Sequence, residues 1–376
     1  TERACSDHPV SAAMRLPLHA LGAAPPFQPL AAVAVAPSEG WWEVEAQAFM
    51  REGRDWDAVC SAMRAAVASE DTPLPGDALQ PPLPGPLPPW TPPPEHAPPK
   101  DKTRRETWAL ALAYYGPAYS SFTWQPEQPH ETVIGRVQQA VTPLLAGLSA
   151  PVISSAGRTD KGVSALGQLV SFHSWAPLTH EAIAEAVERV ASPGGGSLRL
   201  RAARRVDRSF HATFAATHRC YTYLLPVRAD DAACGVTVPR LRALLAPLVG
   251  PPRDYAALGR GLPRGKDTTM SLLRCDVRRV ELPGGGAAVR FDVVGDRFIR
   301  RQVRCLVASA VHAARTCPEE DALALLRMAT GRDQQQTAPA APPEGLCLAR
   351  VGYDGFSAAD APGGVEWAAE GPVATT

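Results

Sequence analysis

Thirteen of the 27 residues between positions 73 and 99 are proline. Proline has no backbone N–H and a fixed φ, so neither a helix interior nor a central strand can run through such a stretch. The chain must fold as one segment before it and another after it, joined by extended backbone of the polyproline II kind. Upstream, SEGWWEVEAQAFM and DWDAVCSAMRAAVAS read as two short helices, the second with Asp55 as N-cap and Trp56, Val59, Met63 and Val67 along one face. A helical hairpin of this sort suits packing or docking, here against a protein partner that the sequence does not identify. The chain opens on Thr1 and so reads as processed or cut from a longer one, and no arginine- and serine-rich, acid-poor transit segment is found in it.

The formal net charge of zero hides an asymmetry. Residues 1–99 hold 5 Lys+Arg and 12 Asp+Glu, residues 100–355 hold 33 and 23, and residues 356–376 hold 0 and 3. The central region thus carries +10, nearly all of it arginine, the side chain that pairs bidentately with phosphate and stacks on bases. Such a balance supports a nucleic-acid partner without requiring one. The eight cysteines include no C-x-x-C pair, which matches neither a zinc ribbon nor a secreted disulfide framework. A reducing, intracellular setting is the simpler expectation, with nucleus, cytoplasm and organelle all open. No apolar run approaches the roughly 18 residues of a membrane span, so no membrane is expected as a partner.

Beyond the linker the pattern is regular. TWALALAYYG alternates as a strand and ends at Gly116, and ETVIGRVQQAVTPLLAGL places Ile134, Val137, Val141 and Leu144 at helical spacing. APVISS and LGQLVSFH read as strands, followed by helix THEAIAEAVERVA and strands SLRLRAARRV and RCYTYLLPV. A comparable series follows: helix PRLRALLAPLV, strands LLRCDVRRVEL and AVRFDVVG, a long helix from Phe298 to about Arg315, and helix PEEDALALLRMA. The expected fold is α+β, with two ferredoxin-like or RRM-like halves sharing a central, mostly antiparallel sheet flanked by helices and a cleft between them. The expected organisation is an acidic helical extension over 1–72, a linker over 73–103, subdomains over 104–226 and 227–356, and a flexible tail over 357–376.

Between two of those strands lies SSAGRTDKGVSALG, with Arg158, Asp160 and Lys161 between glycines. Two readings compete: a solvated turn, or a carboxylate held over a substrate by a rigid loop. The adjacent cations favour Asp160 as an anion, a poor proton donor but well prepared as a base or nucleophile. No histidine or cysteine motif accompanies it, and no carboxylate cluster suggests a metal. His173, His211 and His218 lie near in sequence, yet a lone histidine on an apolar strand is commonly structural.

AGRTDKGVSALGQLVSF closely resembles the catalytic loop of the TruA family of tRNA pseudouridine synthases, and further matches follow in family order. LAYYGPAYSSFTWQ resembles the family's Y-D-G-x-x-Y-x-G-W-Q turn, SFHATFAATHRCYTYLL its F-H-A-R-F-S-A-x-x-R-x-Y-x-Y segment, and FDVVGDRFIRRQVRCLVA its F-L-x-H-Q/M-V-R-N/C helix. The resemblance spans about residues 104–354. It implies Asp160 as nucleophile, Arg158 as the neighbour that helps open the RNA stack, Tyr221 as the ring packed on the target uracil, and Arg304 as the ion pair that holds Asp160. It further implies substrate contacts by Thr159, Lys161, Gly162, Phe210, His211, Arg219, Arg301 and Leu346, with tRNA as partner and neither metal nor cofactor.

The K-G-V-S-A and Q-V-R-C forms resemble the eukaryotic branch, which acts at positions 38 and 39 on the 3′ side of the anticodon stem. Whether the chain pairs as a homodimer, as bacterial members do, stays open. Bland readings stand beside these. Tyr221 and Tyr223 also suit cross-strand packing, and Arg300, Arg301, Arg304 and the ARRVDR run (Arg204, Arg205, Arg208) also suit plain surface. Departures from the family pattern include Tyr115 in place of the Y-D-G aspartate, Ser120 to Phe122 in the turn, RDYAALG over 253–259, and leucine at 272 and 273 where arginine is common. They fit an active, divergent enzyme, and they also fit a relative recruited as a non-catalytic RNA-binding subunit.

Overall fold

In the computed structural model, which describes residues 41–69, 71–77, 105–145, 150–191, 197–331 and 333–353, two helices precede the sheet. Residues 1–40, most of the expected linker and all of the expected tail lie outside the described residues. Helix α1 covers Trp41–Arg51 and α2 covers Trp56–Ala68, started by Asp55, whose side chain accepts from the Ala58 N–H at 2.9 Å.

After the linker come β1 (Glu106–Tyr114), α3 (Val133–Val141), β2 (Ser154–Ser155), β3 (Ser164–Ser174), α4 (His180–Val190), β4 (Leu198–Val206) and β5 (His218–Pro226). Then follow α5 (Val238–Leu245), β6 (Arg253–Asp254), β7 (Thr269–Met270), β8 (Leu272–Glu281), β9 (Ala287–Gly295), α6 (Gln302–Thr316), α7 (Ala324–Thr330) and β10 (Leu346–Gly352). Eight strands form one sheet in the order β4-β1-β3-β10-β5-β9-β8, with β2 added on β3, while β6 and β7 pair separately. Among the described strands every ladder is antiparallel except β10 on β3, where Cys347 and Leu348 lie opposite Ser164 and Ala165. This is the α+β class that the pattern predicts, one large mostly antiparallel sheet flanked by helices.

Three local differences from the sequence pattern have physical causes. β10 carries no alternation, since all seven of its residues are buried, and a strand enclosed on both faces loses its period-2 signal. The helix expected from Phe298 starts only at Gln302, because Arg301 adopts a left-handed conformation (φ 65°) and the Gln302 side chain accepts from the Ile299 N–H at 3.0 Å. The helix expected from Pro318 is shortened to α7. The buried Arg240 guanidinium takes the carbonyls of Pro318 and Glu319 (2.7 and 2.6 Å), which a helix there would have needed.

Two apolar clusters lie on the sheet. The larger joins inward residues such as Tyr221, Tyr223, Leu346 and Leu348 to α3 through α7. The smaller places Val59, Met63, Val67 and Leu74 against Leu166, Leu224, Ala288 and Cys347. On β5, Leu224 belongs to the smaller cluster and its neighbours Tyr223 and Leu225 to the larger, so α2 covers the opposite face of the sheet. The apolar side of α2 is therefore taken up by this chain's own sheet, the packing alternative of the two that the sequence offered for the hairpin.

Polar anchors fix the hairpin further. Arg54, fully buried, bonds Asp231 through both terminal nitrogens (2.9 and 2.8 Å) and reaches the Pro226 carbonyl at 2.6 Å. Arg290, also fully buried, pairs with Asp292 at 3.0 Å and Asp77 at 2.8 Å and donates to the Pro75 carbonyl. Residues 73–77, the start of the proline-rich stretch, thus lie on the sheet. Such pairs are weak evidence for net stability, but each charge needs its partner once it is out of water. α1 is tied to the end of α6 by Arg315, which pairs with Glu45 at 2.9 Å and lies 3.9 Å from the Phe49 ring centre.

Candidate active site

The loop from Ala156 to Val163 connects β2 to β3 and is held at several points along it. The Ala156 N–H donates to Leu169 (2.8 Å), Gln168 donates to the Gly157 carbonyl (2.8 Å), and the Val163 N–H donates to the Asp160 carbonyl (3.2 Å). The hydroxyls of Thr159 and Tyr114 meet at 2.8 Å. Gly162 has φ +84°, a region that a side chain rarely adopts, and an added Cβ would also sit 3.0 Å from Pro343. Gly116 lets β1 end directly beneath the loop: a Cβ there would fall 2.3 Å from the Val163 backbone.

Asp160 faces the head of α6. Arg304 Nη1 donates to its Oδ2 at 2.8 Å, while Arg304 Nε donates to the Ala341 carbonyl at 2.7 Å and the Ala341 N–H returns a bond to the Arg304 carbonyl. One guanidinium therefore joins the loop, α6 and the segment leading into β10. The Asp160 and Arg304 side chains are 22% and 12% exposed, so the carboxylate is fixed yet open to a reactant. Tyr221, on β5 between Val293 and Leu348, meets the edge of Phe298 with ring centres 5.2 Å apart.

Burial pushes the Tyr221 phenol up to about 12, with Arg219 opposing the shift and the nearby Asp160 charge adding to it. The phenol accordingly stays protonated, with only about one part in a hundred ionised at pH 10. A rate profile between pH 6 and 10 is expected to show no inflection from Tyr221, and Tyr221→Phe to give a lower profile of the same shape. An inflection lost in that variant would contradict this.

The family model described as tRNA pseudouridine synthase matches residues 252–354. The tRNA pseudouridine synthase A of Roseobacter denitrificans is 29% identical over 262 residues, covering 66% of this chain and 95% of the relative. That of Moorella thermoacetica is 31% identical, covering 65% and 98%, and that of Chromobacterium violaceum 32% identical, covering 66% and 94%. The chain belongs to the TruA family of tRNA pseudouridine synthases. Its enzymes are isomerases, and the residues named from the TruA motifs can now be placed.

Arg304 meets Asp160 directly, and Tyr221 lies near enough for the Asp160 charge to act on its phenol. Arg158 and Lys161 are exposed on the same loop, and Leu346 is buried opposite Tyr223. His211 stacks on Phe214 with ring centres 4.4 Å apart, leaving that phenyl 85% exposed. Two residues expected to touch substrate are occupied elsewhere. Arg219 directs its five N–H donors to the main-chain carbonyls of Ala156, Thr213, Ala216 and Asp296, with Ala156 accepting two, and leaves none for RNA. Phe210 is buried against Tyr353. Arg219 thus ties the start of the 156–163 loop at Ala156 to its neighbours, and Phe210 belongs to the core.

The family departures also find places. Tyr115, at the position of the TruA aspartate, lies in the cluster under α2 with the Arg64 guanidinium 4.9 Å from its ring centre. Phe122 packs on Tyr114 at 5.8 Å, and Leu272 is fully buried. Two residues inside the matched motifs, given no role there, also find contacts: the Tyr114 hydroxyl meets that of Thr159, and Phe298 meets Tyr221 edge to face. Tyr114 reads in sequence both as the last core position of an apolar strand and as the tyrosine of the stretch matched to Y-D-G. Beside the Asp160–Arg304 pair is a cavity of about 360 Å³, bounded by Gln47, Met50 and Arg51 of α1, by Arg260, Arg301 and Arg304, and by the 339–342 segment.

Proposed function

We propose that Asp160 is the nucleophile of a stand-alone uridine-to-pseudouridine isomerase acting on the anticodon arm of tRNA, at positions 38 to 40. The observation that carries this reading is the Arg304–Asp160 pair, formed across 144 residues between a rigid loop and a helix head and left partly open. The target uridine must leave its stack to reach such a loop, at a cost of a few kcal/mol. In this reading Arg158, exposed on the same loop, fills the vacated stack, and Lys161, Gly162 and Thr159 contact the substrate beside it. Attack by the carboxylate at C1′ displaces N1 of the uracil. The freed base turns, C5 forms the new bond to C1′ as the carboxylate leaves, the C5 proton is lost and N1 ends protonated. Substrate and product are isomers, so no oxidant or reductant enters.

Tyr221 supplies an aromatic face for the uracil and a neutral hydroxyl near the moving proton, and Leu346 supplies an apolar wall. The anticodon-arm assignment is supported by the Q-V-R-C and K-G-V-S-A forms of the motifs. Because C5 loses its hydrogen, tRNA carrying tritium at uridine C5 should release one tritium per pseudouridine formed, and carbodiimide mapping should place the product at 38 to 40. Tight tRNA binding without tritium release would favour a non-catalytic RNA-binding subunit instead.

A further inference from the structure

We propose that Arg51 of α1 and Arg301 at the head of α6 clamp a phosphodiester of the substrate RNA beside Asp160, so that the N-terminal hairpin is part of the RNA site. The cavity they border has about 360 Å³, within the ~300–1,000 Å³ range of ligand pockets, and four arginines but no carboxylate among its lining residues. Two of the four are already occupied. Arg304 holds Asp160 and Ala341, and Arg260 donates to the carbonyls of Ala257, Gly259, Thr337 and Ala338. Arg51 and Arg301 are exposed. The Arg51 side chain is 57% accessible, and its ion pair with Glu344 is long, at 4.0 Å, which holds a guanidinium only weakly.

Arg301 adds an independent observation. Among the described residues it alone, apart from glycines, has a positive φ. That conformation is unfavourable for any residue with a Cβ and would come without strain to glycine, so a long cation kept there points to a task for its side chain. Guanidinium groups present planar, paired N–H donors that match phosphate oxygens, and the cavity offers no aromatic ring on which a base could stack. A nucleotide that swings out of its stack turns about its own backbone. Its flanking phosphates are therefore the groups that must be fixed for C1′ to stay within reach of the carboxylate.

This inference rests on the RNA substrate of the preceding subsection, and its test separates the two. Binding of unmodified tRNA to the full-length chain is followed across a potassium chloride series. Arg51→Ala and Arg301→Gly, the latter chosen because glycine keeps the backbone conformation, are each expected to weaken binding about three- to tenfold and to reduce the slope of log K against log salt by about one contact, roughly 0.7–0.9. Arg51→Lys should restore the slope, which a packing role for Arg51 would not produce. Arg279→Ala, on the edge strand β8, should match the wild type in both respects. Unchanged affinity and slope in Arg51→Ala and Arg301→Gly would overturn the clamp and leave α1 as a cover. Absence of tritium release by the wild type would instead count against the isomerase reading, and the salt slopes would still decide the clamp.

Discussion

Asp160→Asn is expected to lower tritium release from uridine-labelled tRNA by roughly 10⁴-fold or more, the scale seen when an enzyme loses its nucleophile, while tRNA affinity changes less than about threefold. Asparagine keeps the shape of the side chain and an oxygen that can still accept from Arg304 Nη1, but it has no anionic oxygen to attack C1′. Arg304 keeps its bond to the Ala341 carbonyl, so the head of α6 and the segment before β10 stay joined. The lost pair is partly solvated and contributes on the order of 1 kcal/mol, so folding should survive.

Arg304→Lys sharpens the test. Lysine keeps the charge on a single nitrogen, and that nitrogen cannot serve Ala341 and Asp160 together as the planar fork does. A loss of about 10²-fold in kcat with unchanged binding is the expected sign of a misplaced carboxylate. Asp160→Asn retaining near-normal turnover would rule out the nucleophile, and equal losses of binding and turnover would make Asp160 a prop for the loop.

Removing residues 1–104 should abolish recovery of a folded monomer. Val59, Met63, Val67 and Leu74 are essentially buried against the back of the sheet. At about 1.5–3 kcal/mol per side chain their burial is worth roughly 6–12 kcal/mol, which rivals the whole stability of about 5–15 kcal/mol of an ordinary domain. The truncation would also strip Asp77 and the Pro75 carbonyl from Arg290 and Arg54 from Asp231, leaving buried charges without partners. Leu166, Leu224, Ala288 and Cys347 would face water as one apolar patch, so association or precipitation is the expected outcome. In the intact chain, Met63→Ala should cost about 2–5 kcal/mol by denaturant unfolding, whereas Ser61→Ala on the exposed face of α2 should stay within about 0.5 kcal/mol. A truncated chain that unfolds cooperatively and isomerises tRNA like the wild type would refute this account.

These expectations draw unequally on sequence and on structure. The R-T-D loop was legible because its residues are contiguous: Arg158, Asp160 and Gly162 sit within five positions, and turn chemistry is local. Arg304 was named from a motif, but nothing in its helix distinguished it from Arg300 or Arg301, since periodicity marks an apolar stripe and not the partner of a particular cation. Arg219 went the other way. A family arginine near the loop suggested RNA contact, and only the positions of four carbonyls show its donors to be taken.

By itself the sequence determined that α1 and α2 exist with Asp55 as a cap, that the fold is α+β, and that an R-T-D loop stands between two strands. Each of these depends on residues near one another along the chain, whose backbone preferences and spacing act before any long-range contact forms. Tertiary structure alone decided that β10 lies between β3 and β5, that α2 covers the back of the sheet, that Arg51 shares a cavity with Arg301, and that Arg304 meets Asp160 from 144 residues away. An apolar face records that something will cover it, and a buried charge that something will pair with it. Which element does so is settled only when the chain closes on itself.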